Sequence, residues 1–222
     1  MCGRFTLGVP EGIAARFDAV LDGAEGIVPR YNIAPTQRTP VVVAEADGRQ
    51  VCGMRWGFRP AWARPSGGGA APINARAETL RERPLFRGAL ARGRCLIPAD
   101  GFYEWRVEPG QRAKQPYYIR RADGGLFAFA GLYTAGDGED GATYAIITTA
   151  PNGMMGPIHD RMPAILRPED EPLWLDRDRD DPAPALRLLR PYPDDLLVAY
   201  PVAARVSAPR ADGPALIEPL SA

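Results

Sequence analysis

Between residues 94 and 166 the chain is a succession of short runs rich in β-branched, aromatic and other apolar residues: Arg94–Ile97, Phe102–Val107, Tyr117–Arg121, Leu126–Tyr133, Thr143–Thr149 and Met162–Leu166. Only Gly-, Pro- and Asp-rich turns separate them, and Leu196–Val206 adds a further run of the same kind. Parallel neighbours need long crossovers, usually helical, and these runs do not alternate regularly with helices. The pattern therefore predicts an α+β fold, a single compact domain with a predominantly antiparallel, β-rich core and short peripheral helices. With 24 Gly and 24 Pro in 222 residues, turns are favoured throughout and long helical bundles are disfavoured.

The N-terminal part fits the same scheme. Pro10–Leu21 spaces Ile13, Ala14, Phe17, Val20 and Leu21 as on one face of a helix, with Pro in the first turn, where its missing N–H costs nothing. Thr39–Glu45 and Gln50–Trp56 read as strands joined by Ala46-Asp47-Gly48-Arg49, a hairpin signal. Arg64–Ala71 reads as a mobile surface loop. Ala77–Arg83 and Leu85–Arg92 read as brief helices broken at Pro84, and Pro168–Leu175 and Pro184–Leu189 as helices flanking a solvated charge run, Asp176–Asp181. Ser207–Ala222 is turn-rich, with Leu216-Ile217 able to dock on the body.

Charge excludes a generally basic nucleic-acid coat, because 27 basic residues balance 27 acidic ones. A local patch stays open, and every basic residue except Lys114 is Arg, whose planar fork suits phosphate or carboxylate. Three cysteines, Cys2, Cys52 and Cys95, form no C-x-x-C pair and leave an odd thiol. That count argues against a disulfide framework or zinc ribbon and for a reducing, intracellular setting. With no apolar signal core at the start and no run of about 18 apolar residues, neither secretion nor a membrane span is expected.

Four residues have the chemistry for catalysis. Cys2 follows the initiator Met, which is commonly removed before a small side chain, leaving an α-amine and a thiol on one residue. An α-amine of pKa about 7.7–8.0 is partly unprotonated at neutral pH, and the thiol is a strong nucleophile, so the pair can attack one aldehyde carbon twice and close a thiazolidine. The plain alternative is a small buried hydrophobe. His159, in Pro157-Ile158-His159-Asp160-Arg161-Met162-Pro163, is the only histidine, which excludes a multi-His metal site and leaves it as either the neutral-pH acid–base group or a structural imidazole. Glu104 lies between Tyr103 and Trp105; aromatic neighbours would desolvate it and raise its pKa, unless it points outward on an alternating strand. In Ile73-Asn74-Ala75-Arg76-Ala77-Glu78-Thr79, Asn74 could hold an amine, Arg76 could meet a phosphate on the same face, and Glu78 reads as support for a helix start. Trp56, Phe58 and Trp62, with Pro40 or Pro60 as a wedge, make either a base-stacking surface or core; Cys52 and Cys95 read as inert core.

The combination resembles one family. Met1-Cys2-Gly3-Arg4-Phe5, Tyr31-Asn32-Ile33-Ala34-Pro35-Thr36, Arg55-Trp56-Gly57, the Ile73–Thr79 block, Arg94-Cys95-Leu96-Ile97-Pro98-Ala99, Gly101-Phe102-Tyr103-Glu104-Trp105 and His159-Asp160-Arg161-Met162-Pro163 are similar, in order, to the signatures of the SOS response-associated peptidase-like (SRAP) family. The resemblance implies a single domain over residues 1–222 and covalent crosslinking to abasic sites in single-stranded DNA. It assigns Cys2 as nucleophile, Asn74 as the amide that positions the amine, and Glu104 and His159 as acid–base groups for ring opening, proton transfer and reversal. It further implies that Arg4, Arg76 and Arg161 grip flanking phosphates and that Pro40 and Trp62 separate or stack the DNA. The expected partner is abasic single-stranded DNA, with no metal, no cofactor, no membrane contact and a monomeric state. Two other readings stay open on the residues themselves: a thiol-dependent autopeptidase using Cys2 with His159 or Glu104, and a non-catalytic single-strand binding module.

Overall fold

The computed structural model of the protein describes residues 2–22, 26–60, 62, 71–110, 112–136, 141–177 and 181–220. In chain order the strands are β1 (Phe5–Leu7), β2 (Ala19–Leu21), β3 (Arg30–Ile33), β4 (Arg38–Glu45), β5 (Gly48–Trp56), β6 (Asn74–Arg76), β7 (Arg94–Ala99), β8 (Gly101–Arg106), β9 (Gln115–Arg121), β10 (Phe127–Thr134), β11 (Thr143–Thr149), β12 (Met162–Pro163), β13 (Ile165–Leu166) and β14 (Leu197–Pro201). The helices are α1 (Ile13–Phe17), α2 (Pro84–Arg92), α3 (Glu171–Leu175) and α4 (Ala183–Leu186).

Two sheets carry the architecture. One has the order β14-β9-β8-β1-β3, with antiparallel pairings. The other runs β12-β11-β10-β7-β4-β5-β2, with β13 on β10 and β6 on β11. A parallel pairing of β11 with β5 closes β11, β10, β7, β4 and β5 into a ring, which removes the open edges those strands would otherwise present. The expected α+β class holds, with β2–β5, β5–β11 and β6–β11 as parallel contacts inside a mainly antiparallel fold.

The sheets are joined through aromatic side chains. Phe5 of β1 packs its ring 5.2 Å from Trp56 and 5.8 Å from Phe129, and Phe102 of β8 lies 5.9 Å from Phe129, all between centroids. Full burial of one such ring is worth about 1.5–3 kcal/mol, so these contacts hold the first strand against the larger sheet. The other side of β8 faces a second, smaller core of Tyr103, Tyr118, Val202, Val206 and Leu216, where the expected docking of Leu216 takes place. Gly101 is required there, since a Cβ would come within 2.1 Å of the Tyr118 hydroxyl. That hydroxyl lies 2.9 Å from Thr6 Oγ, and the Asp100 carboxylate accepts hydrogen bonds from Thr6 Oγ and the Gly8 N–H, pinning the C-terminal end of β1.

Several sequence expectations need correction. The helix expected over Pro10–Leu21 is a 3-10 turn at Pro10–Gly12 followed by α1, and it stops at Phe17 because Asp18 takes the left-handed conformation (φ 49°). Ala19–Leu21 then pairs with β5 as a strand, so Val20 and Leu21 face outward at 70% and 39% exposure instead of completing an apolar stripe. The hairpin pairs Glu45 with Gly48, shortening the expected four-residue link to Ala46-Asp47. Ala77–Arg83 is helical only as a 3-10 turn at Ala77–Thr79, and Leu196–Val206 is strand only over β14, with a 3-10 turn at Ala204–Ser207. Most of Arg64–Ala71, and residues 178–180 of the expected charged loop, lie outside the described residues.

Candidate functional site

The site is assembled from the ends of both sheets. The Tyr103 N–H donates to the Arg4 carbonyl at 3.0 Å, continuing the β1–β8 ladder and carrying residues 2–4 alongside Glu104. On the other sheet, Thr148 of β11 is flanked by Arg76 of β6 and by Pro163 of β12. One strand thus brings the segment of Asn74 and Arg76 beside that of His159 and Arg161, although some eighty residues separate them in sequence. The turn carrying His159 is fixed locally: Asn152 accepts from the Met155 N–H at 2.8 Å and donates to the Tyr192 carbonyl at 2.7 Å, while the His159 N–H reaches the Met155 carbonyl at 2.9 Å.

Cys2 is fully buried, as its plain alternative had it, but in polar company. Asn74 Nδ2 donates to the Cys2 carbonyl at 2.9 Å, the direct bond between the two sheets at this point. Asn74 Oδ1 is buried without a hydrogen-bond partner among the described residues, leaving an acceptor beside residue 2. The Cys2 thiol donates weakly to the Arg4 carbonyl at 3.9 Å; burial, then the Glu104 charge, push it well above the ordinary thiol range. It is held as S–H at neutral pH.

Glu104 is 2% exposed. Burial raises its carboxyl above the ordinary range, and the His159 imidazole, with Nε2 3.9 Å from Oε2, works against that rise. The cause differs from the one the sequence suggests: Tyr103 packs with Tyr118 on the opposite face of β8, and Glu104 is desolvated because it shares the Phe102 face between the sheets. His159 Nδ1 accepts from the Arg161 N–H at 3.0 Å, which places the proton of a neutral ring on Nε2, toward Glu104. The same Nδ1 lies 2.8 Å from the exposed Asp160 carboxylate, a contact suited to the protonated ring. The imidazole thus lies between an inner and an outer carboxyl group.

The three arginines differ sharply. Arg76 is exposed, on the same side of β6 as Asn74, with Ala75 buried behind them, as alternation requires. Arg4 donates through Nη1 to Asn32 Oδ1 at 2.8 Å and to the Val206 carbonyl at 2.9 Å. Arg161 is gripped by Glu78, with Nη1 and Nη2 donating to the two carboxylate oxygens at 2.7 and 2.9 Å. Glu78 does sit in the first turn of the 3-10 helix, as its helix-start reading expects, but its ion-pair partner lies 83 positions away and leaves no local signal. Asn32 was also missed as a functional support: besides holding Arg4, its amide donates to the carbonyls of Val206, Ala208 and Ala211.

The aromatic group divides. Trp56 and Phe58 are core, whereas Trp62 is 72% exposed and lines a cavity of about 550 Å³ with Phe58, Pro60, Arg87 and Arg92. Pro40 is buried in β4, opposite Gly53 of β5, and lines a separate cavity with Leu7 and Ile33. Cys95 is buried as expected, but Cys52 is half-buried, which corrects its reading as core. Among the described residues, no three His, Cys, Asp or Glu side chains gather as a metal would need, and no helix is long and apolar enough to cross a membrane.

An α+β fold in which a buried cysteine near the chain start meets an amide, a carboxylic acid and an imidazole between two sheets defines a narrow class of cysteine-centred acid–base sites. The chain belongs to the SOS response associated peptidase (SRAP) family, whose model matches residues 1–209. It is 43% identical over 98% of its length to the abasic site processing protein YoqW of Bacillus subtilis, covering 99% of that protein. It is 29% identical over 99% of its length to the abasic site processing protein HMCES of Rattus norvegicus, covering 76% of it. A solved structure of a protein from Bacteroides thetaiotaomicron superposes with a TM-score of 0.87 at 29% identity, covering 99% of this chain and 100% of the other.

Proposed function

We propose that this protein processes abasic sites in single-stranded DNA, acting as a monomer and forming a covalent thiazolidine through Cys2 once Met1 has been removed. The observation that carries the reading is the convergence on Cys2 of the Asn74 amide, at 2.9 Å from its carbonyl, with a raised Glu104 carboxyl and the His159 imidazole behind it.

Each group has a task that its surroundings suit. An abasic sugar exposes an aldehyde only in its ring-opened form, and a proton donated to the ring oxygen favours opening. Glu104, raised by burial, holds that proton at higher pH than an ordinary carboxyl does. The α-amine of Cys2, oriented by Asn74, attacks the aldehyde carbon; loss of water, with protons passed between Glu104 and His159, leaves an imine. The Cys2 sulfur then bonds to the same carbon as the C=N π pair moves to nitrogen, which takes up the thiol proton. A thiol that burial holds as S–H is a weaker competitor for the aldehyde than the neutral amine, which suits this order, amine first and sulfur second. Arg76, Arg4 and Arg161 are the residues proposed to hold flanking phosphates, and Trp62 and Pro40 to stack against or part the strand.

Intact-protein mass spectrometry tests this on single-stranded DNA bearing one abasic site, beside undamaged DNA and a Cys2→Ala variant. An adduct on Met-free wild type alone, stable without borohydride, is the expected result. Absence of an adduct with folded, Met-free protein overturns it; peptide-bond cleavage or adduct-free binding in its place would favour the autopeptidase or the plain binding module.

A further inference from the structure

Resting on the abasic-site reading, we propose that Glu78 is a specificity-determining residue: its carboxylate occupies the phosphate seat of Arg161, so DNA engages that arginine only by displacing it.

The geometry forces competition. An arginine can take a two-oxygen anion on its Nη1/Nη2 edge or on its Nε/Nη2 edge. In Arg161 the Nε is buried, and Nη2 also donates to the Thr148 carbonyl at 2.7 Å, which closes the second edge to solvent. The remaining edge is the one that Glu78 fills, at 2.7 and 2.9 Å. The two partners are not equally mobile. The Arg161 side chain is 15% exposed and is tied to Thr148, while Glu78 is 52% exposed and can swing into water. Displacement therefore moves the glutamate and leaves the guanidinium in place.

Position gives the exchange its purpose. Glu78 lies two residues after the exposed Arg76, whose charge also acts on it, and the Arg161 N–H sets the ring of His159. A strand that places phosphates at Arg76 and Arg161 together recovers both contacts and repels the carboxylate; a strand that meets only one must still break the ion pair. Glu78 thus weakens loose association with ordinary single strands more than it weakens engagement of a strand seated at the lesion.

The test measures binding of an undamaged single-stranded oligonucleotide by fluorescence anisotropy over a range of salt concentrations. Wild type, Glu78→Gln, Arg161→Ala and the double variant are compared, with adduct formation on the abasic oligonucleotide followed in parallel and folding checked by thermal melts. Glu78→Gln is expected to bind the undamaged strand about 5-fold tighter, with the logarithmic salt slope steeper by about 0.7, the value for one added phosphate contact on a single strand. The gain is expected to vanish in the Arg161→Ala background. Equal or weaker binding by Glu78→Gln, or a gain that survives loss of Arg161, overturns the proposal. Failure of the wild type to form an adduct overturns the abasic-site reading instead, while the undamaged-strand comparison still decides the role of Glu78; failure of every variant to bind DNA overturns both.

Discussion

Two glutamates are buried almost equally, Glu104 at 2% exposure and Glu171 at 1%, and their surroundings separate two uses of a carboxyl group. Glu171, on α3, is forked by Arg16 of α1, with Nη2 and Nη1 at 2.6 and 3.2 Å, and Arg49 of β5 stands 4.0 Å away. A guanidinium is a permanent cation, and this pairing ties two helices to the sheet. Glu104 faces an imidazole instead of a guanidinium, with His159 Nε2 3.9 Å from its Oε2. Burial with a permanent cation makes a joint, whereas burial beside a titratable ring makes a group that can exchange protons.

Exchanging the two roles by mutation is the direct way to break this contrast. The largest effect is expected for Glu104→Gln, which keeps shape but cannot deliver a proton: single-turnover crosslinking should fall by about 10²–10⁴-fold. Glu171→Ala should do the reverse, costing about 3–5 kcal/mol in urea melts by stranding Arg16 and Arg49, while the folded fraction crosslinks at the wild-type rate. If Glu104→Gln proves as destabilising as Glu171→Ala, with unchanged chemistry, Glu104 is a joint as well.

A pH series sharpens the same point. Burial lifts Glu104 in the folded protein above its unfolded value, so between the two the folded state holds a proton that the unfolded chain has released. Its contribution to stability is full below the ordinary glutamate value of about 4.3 and is lost as pH rises through the raised folded value. Glu104→Gln should therefore melt higher than wild type at pH 7–8 and converge with it below about pH 4; each kcal/mol corresponds to about 2–4 °C for a chain of this size. Calorimetry that finds no convergence would show that the folded-state carboxyl is not raised. The smallest effect concerns His159. A charge on His159 holds Glu104 down, so His159→Gln should move the alkaline limb of the pH–rate profile upward, whatever it does to the maximum rate. A limb that stays fixed would separate the imidazole from the acid.

How far these features could be read in advance depended on whether a signal was local. The β4–β5 hairpin and strands β7 to β11 stand out, because alternation and turn residues act over neighbouring positions. β1, β3 and β6 have three or four residues each, too short for a period to declare itself, and β2 continues an apolar spacing that only the left-handed Asp18 interrupts. Residue chemistry alone leaves Cys2, Asn74, Glu104 and His159 open to structural readings, and it is the ordered motifs resembling the family that single them out; the structure gathers all four. Glu104 was reached with the wrong cause, since flanking residues on a strand point away from each other. The Glu78–Arg161 pair and the triple grip of Asn32 on Val206, Ala208 and Ala211 were invisible because partners 83 to 179 positions apart leave no mark on local pattern.

That grip of Asn32, together with the bond from Arg4 to the Val206 carbonyl, bears on how the protein matures during synthesis. Contacts spanning 174 to 202 positions close late, because the intervening chain must first be made and collapsed. A ribosome that has translated Cys2, and even His159, has not yet supplied the carbonyls against which Arg4 and Asn32 are set. The residues flanking the nucleophile therefore reach their final arrangement only when translation has passed residue 211, and a truncated nascent chain would carry the thiol without its supporting frame.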